Sequence, residues 1–118
     1  MREVTISGET VTITASPLTV YYYSREFNAD LVEDFFREWA RCNSETKNFN
    51  FSRMFQIFWA MAKSGQPVGS AFPDFETWLS RIDVPIVKPE IWQDVFGEGL
   101  DGFFRGSEAT AAEQVIKR

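Results

Sequence analysis

The sequence predicts a mainly helical α+β fold, an N-terminal β-hairpin packed on about five α-helices. Three observations carry that expectation. Residues 2–14 alternate apolar and polar side chains with the period of a strand. From Ser16 onward, apolar residues recur at helical spacing between recognisable start and stop signals. Finally, the length permits one core, while 12 Phe, 4 Trp and 3 Tyr among 118 residues are more large rings than so small a domain readily hides, so some are expected on a surface meant for another protein. No internal repeat or composition break divides the chain, so residues 1–106 form one domain and residues 107–118 are expected to be a mobile tail.

In the hairpin, Val4 and Ile6 share a side and Thr5 and Ser7 the other, a pattern that Val11 and Ile13 repeat after Ser7-Gly8-Glu9. Glycine in the connection supplies the positive φ of a tight turn. Ser16-Pro17 is a helix start, with serine as N-cap and proline at the first helical position. That helix carries Leu18 and Tyr21-Tyr22-Tyr23 and ends near Phe27, where Asn28 suits the left-handed conformation. Asp30 with Glu33 reads as the capping box of the next helix. Leu31, Phe35, Trp39 and Cys42 form its apolar side, widened by Val32 and Phe36, while Asp34, Glu38 and Arg41 belong to the polar side.

Asn43 to Asn50 reads as a polar loop. From Phe51 or Ser52 to Ser64 apolar residues nearly encircle a helix, which marks it as the central, most buried one, stopped by Gly65. Residues 65–73 are a Gly/Pro linker, and Asp74 to Ile82 a short helix presenting Phe75, Trp78 and Leu79. After an extended Val84 to Lys88, Pro89 starts a last helix carrying Ile91, Trp92, Val95, Phe96, Leu100 and Phe103, weakened by Gly97, Gly99 and Gly102.

Charge and composition exclude several functions. A formal charge of −5 opposes phosphate backbones and anionic lipid, although Arg37, Arg41, Lys47 and Arg53 could form a local basic patch. The absence of histidine removes the commonest general base and zinc ligand. The single Cys42 allows no internal disulfide and reads as a packing residue. The chain shows no basic-then-apolar leader and no apolar run near the roughly 18 residues of a membrane span, so it is expected to be soluble and intracellular.

Gly97-Glu98-Gly99-Leu100-Asp101-Gly102 matches G-x-G-x-x-G, but an aromatic helix precedes it and two acids would repel a phosphate, so a loosened helix or turn is expected. Ser44-Glu45-Thr46-Lys47 matches S-x-x-K without its companion motifs, and Asn50-Phe51-Ser52 matches a glycosylation acceptor without a secretion signal. The acid pairs Glu33-Asp34, Asp74-Glu76 and Asp94-Glu98 read as solvated helix surface. No catalytic residue, metal ligand or cofactor is therefore assigned. Trp39, Phe55, Phe58, Trp59, Trp78 and Trp92 are expected in the core. Phe72 in its linker, and the adjacent Phe103 and Phe104 about 100° apart on a helix, are the candidate partner-binding rings.

Several stretches recur together in one known setting. The hairpin Val4-x-Ile6-x-Gly8-x-x-Val11-x-Ile13 is followed by Ser16-Pro17-Leu18 and by Tyr23-Ser24-Arg25-Glu26-Phe27-Asn28-Ala29-Asp30-Leu31. Then come Phe58-Trp59-Ala60-Met61-Ala62-Lys63 and Pro73-Asp74-Phe75-Glu76-Thr77-Trp78-Leu79. In this order and spacing, over roughly residues 3–105, the chain resembles the tail assembly chaperones of long-tailed bacteriophages and prophages. One departure is Asn28 in place of an expected glycine.

The resemblance implies a non-enzymatic protein of the host cytoplasm that coats the apolar helical tape measure protein and is absent from the finished virion. Many such proteins are made in two forms, the longer frameshifted one recruiting tail tube subunits; if this chain is the short form, the extension would join after Gly106, and polymerising along the tape measure would require self-association. Two rivals are a small regulatory or adaptor module of a prophage and an enzyme using carboxylates with a divalent metal. The latter requires at least three acidic side chains converging in one cleft.

Overall fold

The computed structural model describes residues 1–6, 8–42, 50–82 and 89–104, without the side chains of Cys42, Pro89 and Phe104. Residues 43–49, the S-x-x-K motif among them, the connection 84–88 and the tail 107–118 lie outside the described residues. The fold is mainly helical α+β, as the sequence predicts: strands β1 (Arg2–Ile6) and β2 (Glu9–Ile13), then helices α1 (Pro17–Phe27), α2 (Leu31–Cys42), α3 (Phe51–Ser64), α4 (Phe75–Ser80) and α5 (Pro89–Gly99). The chain continues beyond α5 as a π-helical segment, Leu100–Phe104. Among the described residues no helix is long and apolar enough to cross a membrane.

The strands pair antiparallel with Val4 opposite Val11 and Ile6 opposite Glu9, and Gly8 takes φ +79° in the turn. Val4, Ile6 and Ile13 are buried, while Glu3, Thr5 and Thr10 face outward. A two-stranded ribbon has no core of its own; here β2 lies on α3 and β1 on α5. The exit from β2 is fixed by the Thr14 N–H, which donates to the Met61 carbonyl (3.1 Å). The Thr19 and Ser64 hydroxyls both reach the Thr14 carbonyl (2.8 Å each), tying the hairpin to α1 and α3.

Helix ends follow local chemistry. The Ser16 N–H donates to Thr19 Oγ1 (3.1 Å) ahead of Pro17, and Asn28 closes α1 at φ 52° with its N–H on the Ser24 carbonyl (2.8 Å). At the start of α2 the Asp30 carboxylate accepts from the Val32 N–H (3.1 Å), whereas Glu33 turns to Arg37 (3.0 Å). Asn50 and Asp74 cap α3 and α4 by accepting from the N–H of Arg53 and Thr77. Gly65 does stop α3, but with ordinary right-handed backbone; a Cβ there would run into the Thr12 carbonyl, so β2 itself requires the glycine. Gly69, at φ +87°, turns the following linker, where the Ser70 N–H meets the Pro67 carbonyl (3.0 Å).

The core centres on α3, whose residues Met54, Phe55 and Ile57 to Ala62 are all buried. Helix α2 departs from expectation. Its buried side is Leu31, Asp34, Phe35 and Glu38, while Phe36 is half exposed, at 50%. The helix is turned so that two acids enter the interior, each held there by a partner.

Candidate interaction surface

The large side chains satisfy one another. One run of ring contacts passes from Tyr23 to Phe27 (centroids 4.9 Å apart), from Phe27 to Trp59 (5.6 Å) and Phe75 (5.0 Å), and from Trp59 to Phe72 (6.3 Å). It continues from Phe75 through Trp78 and Phe58 to Trp92, which also meets Phe55 edge-on at 5.0 Å. A second cluster joins Phe35 to Phe96 and Phe103, and Trp39 to Phe96 (5.3 Å). Mostly edge-to-face or tilted, these contacts have the geometry that ring quadrupoles favour. Both clusters rest on α5, which gives Trp92 to the first and Phe96 to the second.

That arrangement locates the rings expected at a partner surface. Phe72 is half-buried against Trp59, and the linker that carries it is fixed by the Trp59 Nε1–H, which donates to the Pro73 carbonyl (3.1 Å). Phe103 is half-buried on Phe35, at a ring separation of 5.8 Å. The Phe104 side chain lies outside the described residues. The described contacts put Phe72 and Phe103 in separate clusters. Phe72 also borders a cleft of about 250 Å³ between the hairpin tip and α4, floored by Ile6, Val11, Trp78 and Ile82 and rimmed by Glu9 and Arg81. The expected surplus of rings on an outer surface is not found, because the rings pack against one another: among the described residues only Tyr21 and Phe36 are at least half exposed.

The charged residues placed at the surface by sequence include three that are buried. Asp34, expected on a solvated side, accepts from the Tyr23 hydroxyl (2.7 Å) and Arg53 (3.2 Å). Burial, and then the hydrogen bond to Asp34, push the Tyr23 hydroxyl far above the usual tyrosine pKa. Glu38, fully buried, accepts from the Asn50 N–H (2.6 Å) and lies 3.4 Å from Arg41. Glu98, read as polar helix surface, is buried and accepts from the Ala15 N–H (3.1 Å) and the Met1 amino group (2.9 Å). Spacing alone could not reveal these acids: Arg37 and Arg41 lie at helical spacing from Asp34 and Glu38, but the partners that face them inside, Tyr23, Arg53, Asn50, Ala15 and Met1, come from elsewhere in the chain. Asp74 keeps its expected place, its pKa lowered by the hydrogen bonds from Thr77.

These pairings also account for the candidate basic patch. Arg37 meets Glu33 and Asp34, Arg41 meets Glu38, and Arg53 meets Asp34; Lys47 lies outside the described residues. Among the described residues no three His, Cys, Asp or Glu side chains converge as a metal site would require. Gly99 and Gly102 have a packing reason, since a Cβ would strike the Phe35 ring and the Ala15 carbonyl respectively, whereas at Gly97 it would meet only the guanidinium end of Arg2, which can give way. No family model, curated protein or solved structure matches this chain.

Proposed function

We propose that this chain is a tail assembly chaperone of a long-tailed phage or prophage. In this reading it acts without catalysis in the host cytoplasm, keeps the tape measure protein soluble until the tail tube forms, and leaves before the virion is complete. The single observation that carries the reading is the ordered motif set, from Val4-x-Ile6 through Ser16-Pro17-Leu18 and Phe58-Trp59-Ala60-Met61-Ala62-Lys63 to Trp78-Leu79. The formal charge of −5 is compatible with a soluble carrier of an apolar client.

Ring exposure does not carry the reading, since most described rings are packed against one another. A client helix must therefore engage a limited surface or one uncovered on binding. The test is co-expression with a tape measure protein of a long-tailed phage, the one from the same genome, followed by affinity capture at native salt. Co-purification, with more of the client in the soluble fraction, is the expected result. A client that is neither retained nor solubilised would overturn the proposal and favour the regulatory or adaptor reading.

A further inference from the structure

We propose that the cleft between the hairpin tip and α4 is a docking socket for one large apolar side chain of a partner protein, presented between an acidic and a basic residue. The cleft holds about 250 Å³, below the roughly 300–1,000 Å³ of pockets that enclose drug-sized ligands. That volume suits a single bulky side chain. Ile6, Val11, Phe72, Trp78 and Ile82 supply the apolar wall, and Glu9 and Arg81 stand on the rim. A bulky anchor seated in a pocket inside a polar rim is the arrangement that carries most of the binding energy at protein interfaces.

The charges at the mouth set this cleft apart. Arg2, Arg37, Arg41 and Arg53 are engaged in ion pairs, Arg25 with Tyr21, and Lys63 over the Tyr22 and Trp59 rings. Among the described residues Arg81 is the one cation whose side chain meets no acid, hydroxyl or ring, and the Glu9 carboxylate is likewise without a cation. Both side chains are exposed and lie too far apart to pair with each other. Trp78 adds a donor: only 8% of it is exposed, yet its indole N–H has no acceptor among the described residues, whereas that of Trp59 is taken by the Pro73 carbonyl (3.1 Å). The wall is also fixed in advance. That Trp59 bond holds the linker carrying Phe72, and the Asp74 carboxylate caps α4 by accepting from the Thr77 N–H (2.9 Å). A site already in shape loses less to ordering when it is filled.

Charge complementarity defines the partner. An acid on one flank of the anchor meets Arg81 on the α4 side, and a base on the other flank meets Glu9 on the hairpin side. A segment with acids on both flanks would set like charge against Glu9, and one with bases on both would do so against Arg81. This inference stands on the cleft and does not depend on the tape measure reading.

The test titrates the isotopically labelled full chain with two peptides, acetyl-Lys-Phe-Asp-amide and the reversed acetyl-Asp-Phe-Lys-amide, and follows amide and indole resonances by NMR at low salt. Peptide is added to about 5 mM, where a millimolar complex is visible. At least one of the two should shift Glu9, Val11, Arg81 and the Trp78 indole saturably. Replacing the peptide's phenylalanine by alanine should abolish those shifts. Arg81→Gln, a change at an exposed side chain, should weaken binding at least about threefold, and so should replacing the peptide's aspartate by asparagine. Absence of shifts with both peptides, shifts centred away from the cleft, undiminished binding by Arg81→Gln, or retention of the alanine peptide would overturn the proposal. Shifts of the same residues on diluting the chain alone would overturn it by making a second copy the occupant. Nuclear Overhauser contacts from residues 107–118 to Trp78 would do so by making the chain's own tail the occupant.

Discussion

The two sides of the core pair charge and ring alike but stand on different backbones. Around α1, α2 and α3, each buried acid is matched: Asp34 by Tyr23 and Arg53, Glu38 by the Asn50 N–H and Arg41. Trp59 there touches Phe27, Phe72 and Phe75 and also fixes the linker through its indole N–H. Between α5 and the hairpin, Glu98 is matched as well, by the Ala15 N–H, the Met1 amino group and Arg2, and each side keeps a buried guanidinium nitrogen without a hydrogen bond, Arg53 Nε on the first and Arg2 Nε on the second. What differs is the backbone: α3 contains no glycine, whereas Gly97, Gly99 and Gly102 loosen the α5 segment as a helix and make it the element expected to open separately.

Substitutions on either side sharpen that contrast. The largest effect is expected from Trp59→Ala, which removes a buried indole shared by several rings and should cost about 3–5 kcal/mol in urea denaturation. All probes should shift together, because this ring belongs to the committed body. Gly99→Ala should cost less, about 1–3 kcal/mol from overpacking against Phe35. Its loss of hydrogen-exchange protection should be confined to residues 91–104, and a uniform loss would erase the distinction between the two sides.

Tyr23→Phe should cost about 1–2 kcal/mol by removing the hydroxyl from Asp34. It also has a pH signature. Folding raises the Tyr23 pKa, so above the ordinary tyrosine value of about 10 the folded chain holds a proton that the unfolded chain has lost. The stabilising contribution is complete below that pH and declines as pH rises through it, and Tyr23→Phe should abolish that part of the alkaline decline. The smallest effect is expected from Asn28→Gly, within about 0.5 kcal/mol, because glycine adopts the left-handed cap conformation as readily as asparagine. Thermal unfolding monitored by circular dichroism measures it.

Sequence patterns recovered those features governed by neighbours along the chain. The hairpin followed from the alternation of Val4, Ile6, Val11 and Ile13, the start of α1 from Ser16-Pro17, its end from Asn28, and the central position of α3 from its nearly continuous apolar girth. Features governed by distant partners were not recoverable. Asp34 and Glu38 have the spacing of a polar side, and only Tyr23, Arg53 and Asn50, brought in by the fold, make their burial tolerable. Phe36 has the spacing of an apolar side yet is half exposed, because the paired acids take the inward positions. The three glycines from Gly97 to Gly102 gave only a letter pattern; Phe35 and Ala15, far away in sequence, explain two of them. Phe72 and Phe103 were singled out because their local sequence offers no obvious cover, and the fold half-covers both with Trp59 and Phe35.

Native-state hydrogen exchange across a urea series tests the separability of α5 most directly, by comparing amides of residues 91–96 with those of residues 54–61. The account predicts that the α5 amides exchange through a partial opening, with lower free energy and weaker urea dependence than the α3 amides, which should follow global unfolding. Coincident exchange of both sets at the global unfolding free energy would contradict it.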